Sequence, residues 1–277
     1  MISISQEAGE KVIAGIRIPP RPGIVMELME ARNSDAPDLK KIARIVAKDV
    51  VLSAAMLKTV NSPHFGLRRK IDSIEQAVIT MGSDNVINIL TGLALRGMSG
   101  NTPQLNWFWD NAVSTASLAA LIAKYVPGIS PNLAYTVGLF HDCGMPLMMS
   151  RFKDYSDVMK LAQLDNSCLI TDIEEVRYQT NHAIVGYLLS KNWNLSETIS
   201  LAVLHHHTLD ILFSHEMLPV EVCGLIAVIQ IAEALSESIL LRDYEAWRAN
   251  GPMLLSYLGM SEAELYDIIE IARHRPN

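Results

Sequence analysis

The segment Gly138-Leu139-Phe140-His141-Asp142-Cys143-Gly144 sets a histidine and an aspartate side by side at the end of an apolar stretch, just before a glycine. An imidazole beside a carboxylate can hold one divalent ion, and the carboxylate can bridge to a second. Alone, the pair reads as a helix-end histidine with a nearby carboxylate partner. Further histidines change that reading. His182 opens the apolar stretch HAIVGYLLSKNW, and His205-His206-His207 close SETISLAVLHHH. A protonated histidine suits a helix C-terminus, where the dipole favours positive charge. That accounts for one of the three, but not for their company with His182 and His141-Asp142. Helix ends that converge on one cavity are how bundles assemble metal sites.

These side chains need elements to carry them. In DLKKIARIVAKDVVLSAAMLKTV the apolar positions Leu39, Ile42, Ile45, Val46, Leu52, Ala55 and Met56 follow a 3.6-residue repeat. Ser73 with Gln76, Thr171 with Glu174, and Ser261 with Glu264 each read as a capping box. Ser130-Pro131 reads as an N-cap followed by proline at the first helical position, and Asp49 as another N-cap. Asn61-Ser62-Pro63, Gly82, Pro127-Gly128 and Gly259 read as stops. No segment alternates apolar and polar residues between hairpin turns, so the expected fold class is all-α, with two packed helical bundles. The seam is GMSGNTPQLN, residues 97–106. It divides a leader (1–14) and an N-terminal bundle (15–105) from a C-terminal bundle (106–277).

Composition narrows the function classes. Of 277 residues, 49% are apolar and 19% charged, and the formal net charge is -7. Dispersed acidity gives no electrostatic reason to seek nucleic acid or an anionic membrane. Arg68-Arg69-Lys70 beside His64 is the one basic cluster, and it reads as a solvated turn. Cys143, Cys168 and Cys223 form no CxxC pair, which argues against a disulfide framework or zinc ribbon and for reduced, packed thiols. MISISQEAGEKV lacks the cationic and apolar regions of a secretion signal. The longest apolar run, Val222 to Ile229, falls far short of the ~20 residues that span a bilayer. A cytoplasmic location is the expectation.

The order of a Gly-Leu-x-His-Asp-x-Gly helix, a His-x-x-x-Gly helix ending near Trp193 and a His-His pair resembles the HD superfamily of metal-dependent phosphohydrolases. The N-terminal half resembles its HDOD branch. Ile18-Pro19-Pro20-Arg21-Pro22 looks like that branch's Pro-rich opening, and Ala43 to Val60 like its helix pair. Asn61-Ser62-Pro63 with Phe65-Gly66 is similar to its Asn-Ser turn, and Ile71 to Gly82 to its "I-x-S-I-x-x-A-I-x-x-L-G" segment.

The resemblance also implies a site, and the departures from it matter. A primary metal set of His, His-Asp and a distant Asp would place the first His where this chain has Asn111 and the Asp where it has Glu233. Asn is a poor ligand for a transition metal, and Glu displaces its oxygens by a methylene. Catalytic branches often follow the pair with Gly-Lys, whereas Gly144 is followed here by Met145, so a cation near the phosphate is missing. The secondary set implied by the resemblance survives as Asp142, His182, His205 and His206, with His141 a ligand or a supporting group and Glu233 a weaker, substitute ligand.

The expected function is therefore a non-catalytic regulatory module with a degenerate metal site. It would engage a protein partner of a signalling pathway, and a homodimer is one form this could take. It would hold one divalent ion, Fe or Zn in preference to Mg, because imidazole outnumbers oxygen in the set. The alternative is a phosphohydrolase acting on a nucleotide or cyclic (di)nucleotide, through a metal-bound hydroxide. Trp109 and Trp193, on apolar helical segments, are expected to be buried.

Overall fold

The computed structural model describes residues 15–33, 39–62, 65, 67, 69–100, 102–164, 168–213, 218–239 and 244–273. Expectations placed on residues 1–14, Pro63, His64, Gly66, Arg68 and Asn101 lie outside the described residues. Among the described residues every regular element is helical. They fall into two compact units, one of residues 20–103 and one of residues 104–273 together with 15–19. Residues 15–19 thus group with the second unit, not with the N-terminal bundle in which the sequence reading had placed them. Within that unit the Trp193 indole N–H donates to the Pro19 carbonyl at 2.9 Å.

The first unit contains α1 (Gly23–Arg32), α2 (Leu39–Ala47), α3 (Val50–Val60), α4 (Ile74–Met81) and α5 (Ser83–Met98). Val25, Leu28, Ile42, Val46, Met56, Val60, Val78 and Ile87 are fully buried in it. Asp49 separates α2 from α3 as an N-cap, its Oδ1 accepting from the Val51 and Leu52 N–H groups, both at 3.0 Å. Such a cap stabilises a helix by about 1 kcal/mol. Asn61 does more than stop α3. Its side chain donates to the Ile71 carbonyl and accepts from the Ile71 N–H, both at 2.7 Å, and so pins the returning chain. Gly82, with φ 77°, lets the chain turn between α4 and α5 in the left-handed region.

The second unit contains α6 (Pro103–Ile122), α7 (Pro131–Phe140), α8 (Met145–Arg151), α9 (Tyr155–Leu164), α10 (Ile170–Tyr178), α11 (His182–Asn192), α12 (Glu197–His205), α13 (Val220–Ile239), α14 (Tyr244–Leu258) and α15 (Glu262–Arg273). Ser130 caps α7 ahead of Pro131, and Ser261 with Glu264 forms a reciprocal capping box on α15. The Thr171–Glu174 box does not form. α10 begins one residue before Thr171, Asp172 Oδ2 accepts from the Leu169 N–H at 3.3 Å instead, and Glu174 is turned into the interior.

Helices α7, α11, α12 and α13 pack around one another, burying Val137, Phe140, Leu189, Val203, Ile226 and Ile231. The turn between α7 and α8 presses on the start of α11: a Cβ on Gly144 would lie 2.0 Å from the His182 carbonyl oxygen. Only glycine permits that approach. Trp109 and Trp193 are buried, at 1% and 0% exposure, as their apolar surroundings predict. Cys143 and Cys223 are buried thiols, whereas Cys168 is exposed, a correction to the reading of all three as packed. Among the described residues no single helix is long and apolar enough to cross a membrane.

Candidate metal centre

Three helix ends and the middle of a fourth helix deliver the chemistry-bearing side chains. His141 is the C-cap residue of α7, with its backbone N–H bonded to the Val137 carbonyl, and Asp142 follows in the turn toward α8. His182 is the first residue of α11, whose N-cap Asn181 accepts from the Ile184 N–H at 2.9 Å. His206 and His207 lie just past the end of α12. Glu233 comes from the middle of α13, where Gln230 bridges it to the His206 carbonyl, at 3.0 and 2.7 Å.

One donor atom from each of Asp142, His182, His206 and His207 lies within 4.8 Å of all the others. A second group, His141, Asp142 and Glu233, shares the aspartate. Sequence reasoning thus placed Asp142, His182 and His206 together as the structure does, but not the third imidazole. His205 belongs to the last turn of α12 and stays outside the group, and His207 takes the place expected for it. The helix ends at His205, so the residues beyond it no longer follow a 100° step, and periodicity could not say which ring turns inward.

Tautomers are fixed from behind. His141 Nδ1 lies 2.7 Å from the Gly138 carbonyl and His206 Nδ1 2.7 Å from the Val203 carbonyl. His182 Nδ1 lies 2.8 Å from Glu174 Oε2, which also accepts the His182 backbone N–H at 2.9 Å. Each Nδ1 therefore carries the hydrogen, and each neutral ring presents a bare Nε2 to the cluster. Asp142 Oδ1 faces two of these nitrogens, His182 at 3.1 Å and His206 at 3.2 Å, and is buried with no hydrogen-bond donor. The distances are those of ion pairs, yet neutral imidazoles have no hydrogen to offer there. Only added protons or a cation can reconcile lone pairs brought this close.

The spacing suits a cation. His182 Nε2 is 3.4 Å from His206 Nε2 and 3.0 Å from His207 Nε2. Together with the two Asp142 distances these approach the edge of about 3.3 Å expected for a tetrahedron with ~2.0 Å metal–nitrogen bonds. Three imidazoles and a carboxylate suit zinc or iron better than magnesium. In the second group His141 Nε2 lies 3.2 Å from Asp142 Oδ2 and 3.1 Å from Glu233 Oε1.

Without a metal, protons would do part of the same work. Burial pulls His182 down, but Glu174 and Asp142 outweigh it and raise its pKa to about 10. Burial likewise opposes charge on His141, and Asp142 with Glu233 overcomes it. Asp142, although buried, is held well below the usual carboxylate range by His141, His182 and His206. His207 goes the other way: burial first, then neighbouring His206 and His182, push it well below 6.5. The cluster accordingly contains at least one ring that resists protonation and remains a free base.

Asn111 and Met145 complete the neighbourhood. Asn111 belongs to neither donor group; its Oδ1 accepts from Ser236 Oγ at 3.1 Å. Met145 is buried at the start of α8. Glu174 is the residue that sequence reasoning missed. Its Thr-x-x-Glu spacing was visible but fits a capping box equally well.

Comparison with known proteins agrees with this architecture. Residues 18–209 match the HDOD domain family. The chain is 26% identical over 195 residues to an uncharacterized protein of Treponema pallidum (strain Nichols), a match covering 69% of this chain and 38% of that one. It therefore spans well under half the length of that relative. An HDOD domain protein of unknown function from Geobacter sulfurreducens shares the fold with a TM-score of 0.67 at 25% identity, over 96% of this chain and 95% of that one. A candidate metal-dependent phosphohydrolase of Shewanella amazonensis SB2B has a TM-score of 0.69 at 18% identity, over 96% and 93%. A candidate signal transduction protein of Marinobacter aquaeolei VT8 has a TM-score of 0.70 at 19% identity, over 98% of this chain and 65% of that one. The last two likenesses speak to fold alone. With the family match running across most of its length, this all-helical chain belongs to the HDOD domain family.

Proposed function

We propose that the chain is a regulatory HDOD module of a signalling pathway, acting in the cytoplasm by engaging a protein partner or a second copy of itself, with an ion that it holds and does not use for turnover. One observation carries this reading: the position where the resemblance to HD hydrolases expects a metal-ligating histidine is Asn111, and its amide oxygen is engaged by Ser236. The carboxylate-rich group therefore has one imidazole, His141, and offers a weaker seat for a second ion. Met145 adds no charge toward a phosphate. The ion of this reading is zinc or iron, held by Asp142, His182, His206 and His207.

A second reading is favoured by the same pair of donor groups, because two ions sharing Asp142 would suit hydrolysis of a nucleotide or cyclic (di)nucleotide. Elemental analysis of the purified chain, beside a phosphodiesterase and nucleotidase screen of the metal-loaded protein, separates the two. About one zinc or iron per chain with no turnover is the expected result. Efficient turnover of a cyclic dinucleotide would establish the enzyme instead.

A further inference from the structure

Beneath His182 lies a polar anchor that the donor groups do not include. Glu174 is fully buried, and both of its oxygens are engaged. Oε2 accepts the backbone N–H and the Nδ1–H of His182 at 2.9 and 2.8 Å. Oε1 accepts the hydroxyl hydrogen of Tyr155, itself buried at the start of α9. The chain of contacts Tyr155–Glu174–His182 therefore joins three helices, α9, α10 and α11, to the metal-facing Nε2.

α10 has few other ties to the interior. Its buried side chains are Thr171 and Glu174, both polar, while Leu169 just ahead of it and Val176 within it are 49% and 90% exposed. Further links join it to the segment around α9, where Phe152 stacks on Tyr178 with ring centroids 4.0 Å apart and Arg177 pairs with Asp154, and to the cap of α11, where Glu175 Oε1 accepts from Asn181 Nδ2 at 2.7 Å. An ordinary amphipathic helix docks by an apolar stripe. This one docks by a carboxylate, which is costly to bury unless its partners are in place.

We propose that Glu174 is a positioning residue for His182, and that through it the docking of α9 and α10 is coupled to ion binding. The inference rests on the reading that the His–Asp cluster takes a metal. An ion on Nε2 draws electrons from the ring and strengthens the Nδ1–H bond to Glu174, which tightens α10. By reciprocity, an element that pulls α10 away weakens the ion. The chain would then report its metal state on a face made of α9 and α10.

The test compares the full-length chain with Glu174→Gln and Tyr155→Phe, using zinc against a competing chelator. Hydrogen exchange of α10 with and without saturating zinc, and the visible spectrum of the cobalt-loaded proteins, are read alongside. Glu174→Gln should weaken zinc by about 10–100-fold, the range for losing a partner behind a ligand. Tyr155→Phe should weaken it less, by about fivefold, because it removes one of the hydrogen bonds that hold the carboxylate in place. Zinc should slow exchange in α10 of the parent chain and leave α14 unchanged, Glu174→Gln should abolish that slowing, and its cobalt bands should shift. Should Glu174→Gln fail to fold, Tyr155→Phe decides by itself. Parent-like zinc affinity in the variants, or α10 exchange in the parent that ignores zinc, overturns the coupling while leaving the metal reading intact. A parent chain that binds neither zinc nor iron overturns both.

Discussion

The two donor groups share Asp142 but are built differently. On one side three imidazoles converge, and the ring of His182 is held by a buried carboxylate while that of His206 is held by a helix-end carbonyl. On the other side stand one imidazole and the half-exposed Glu233, with Asn111 turned to Ser236. The imidazole side has lone pairs that no internal donor satisfies, and its geometry is set by supports behind His182 and His206. The carboxylate side satisfies itself more easily, because Gln230 already donates to Glu233. The two flanks thus differ in how readily their polar atoms are satisfied from within the chain.

The sharpest way to break this comparison is at the shared residue. Asp142→Ala should remove metal from both sides, lowering affinity by more than about 100-fold, since losing a ligand exceeds the loss of its support. Elemental analysis after dialysis reads this directly. Next in size is a contrast between flanks. His206→Ala should again cost about 100-fold or more, and Glu233→Gln less than about tenfold; the opposite order would place the ion on the carboxylate side.

A pH titration sharpens the same contrast in metal-free protein. His182 has its folded pKa raised from 6.5 to about 10. Its contribution to stability is therefore complete below about 6.5 and is lost as pH rises through about 10. The Tm of the metal-free chain should fall across that window, and this part of the fall should vanish in His182→Gln. The smallest effects are expected outside the cluster: Asn111→Ala and His205→Ala should each change metal retention by less than about twofold. A large loss from either would redraw the ligand set.

Much of the fold was legible because helix ends are written locally. Asp49, Ser73, Ser130 and Ser261 accept from nearby backbone N–H groups, as their types and positions predict. Asp142, His182 and His206 were legible because each stands at or near the end of an apolar run. His207 was not, because the choice among three consecutive histidines depends on the backbone after the helix has ended. Glu174 was hidden by ambiguity: a glutamate three residues after a threonine can cap a helix or face inward, and only packing against α11 decides. Residues 15–19 group with the second unit, where Pro19 accepts from Trp193, a partner 174 positions away that no local pattern could reveal.

The crowding at Gly144 has a consequence for how such a chain can drift. A single carbon added there would overlap the His182 carbonyl, and its next neighbour would be the Gly186 nitrogen at 2.8 Å. Position 144 therefore tolerates no other residue, whatever happens to catalysis, since its demand comes from the backbone of α11. Positions 111 and 145 carry no such steric veto. In a saturation-mutagenesis map, 144 would admit glycine alone, whereas its buried neighbours Cys143 and Met145 would admit apolar residues of similar size. A population of descendants would accordingly keep this glycine for its packing alone, whether or not the neighbouring cluster turns a substrate over.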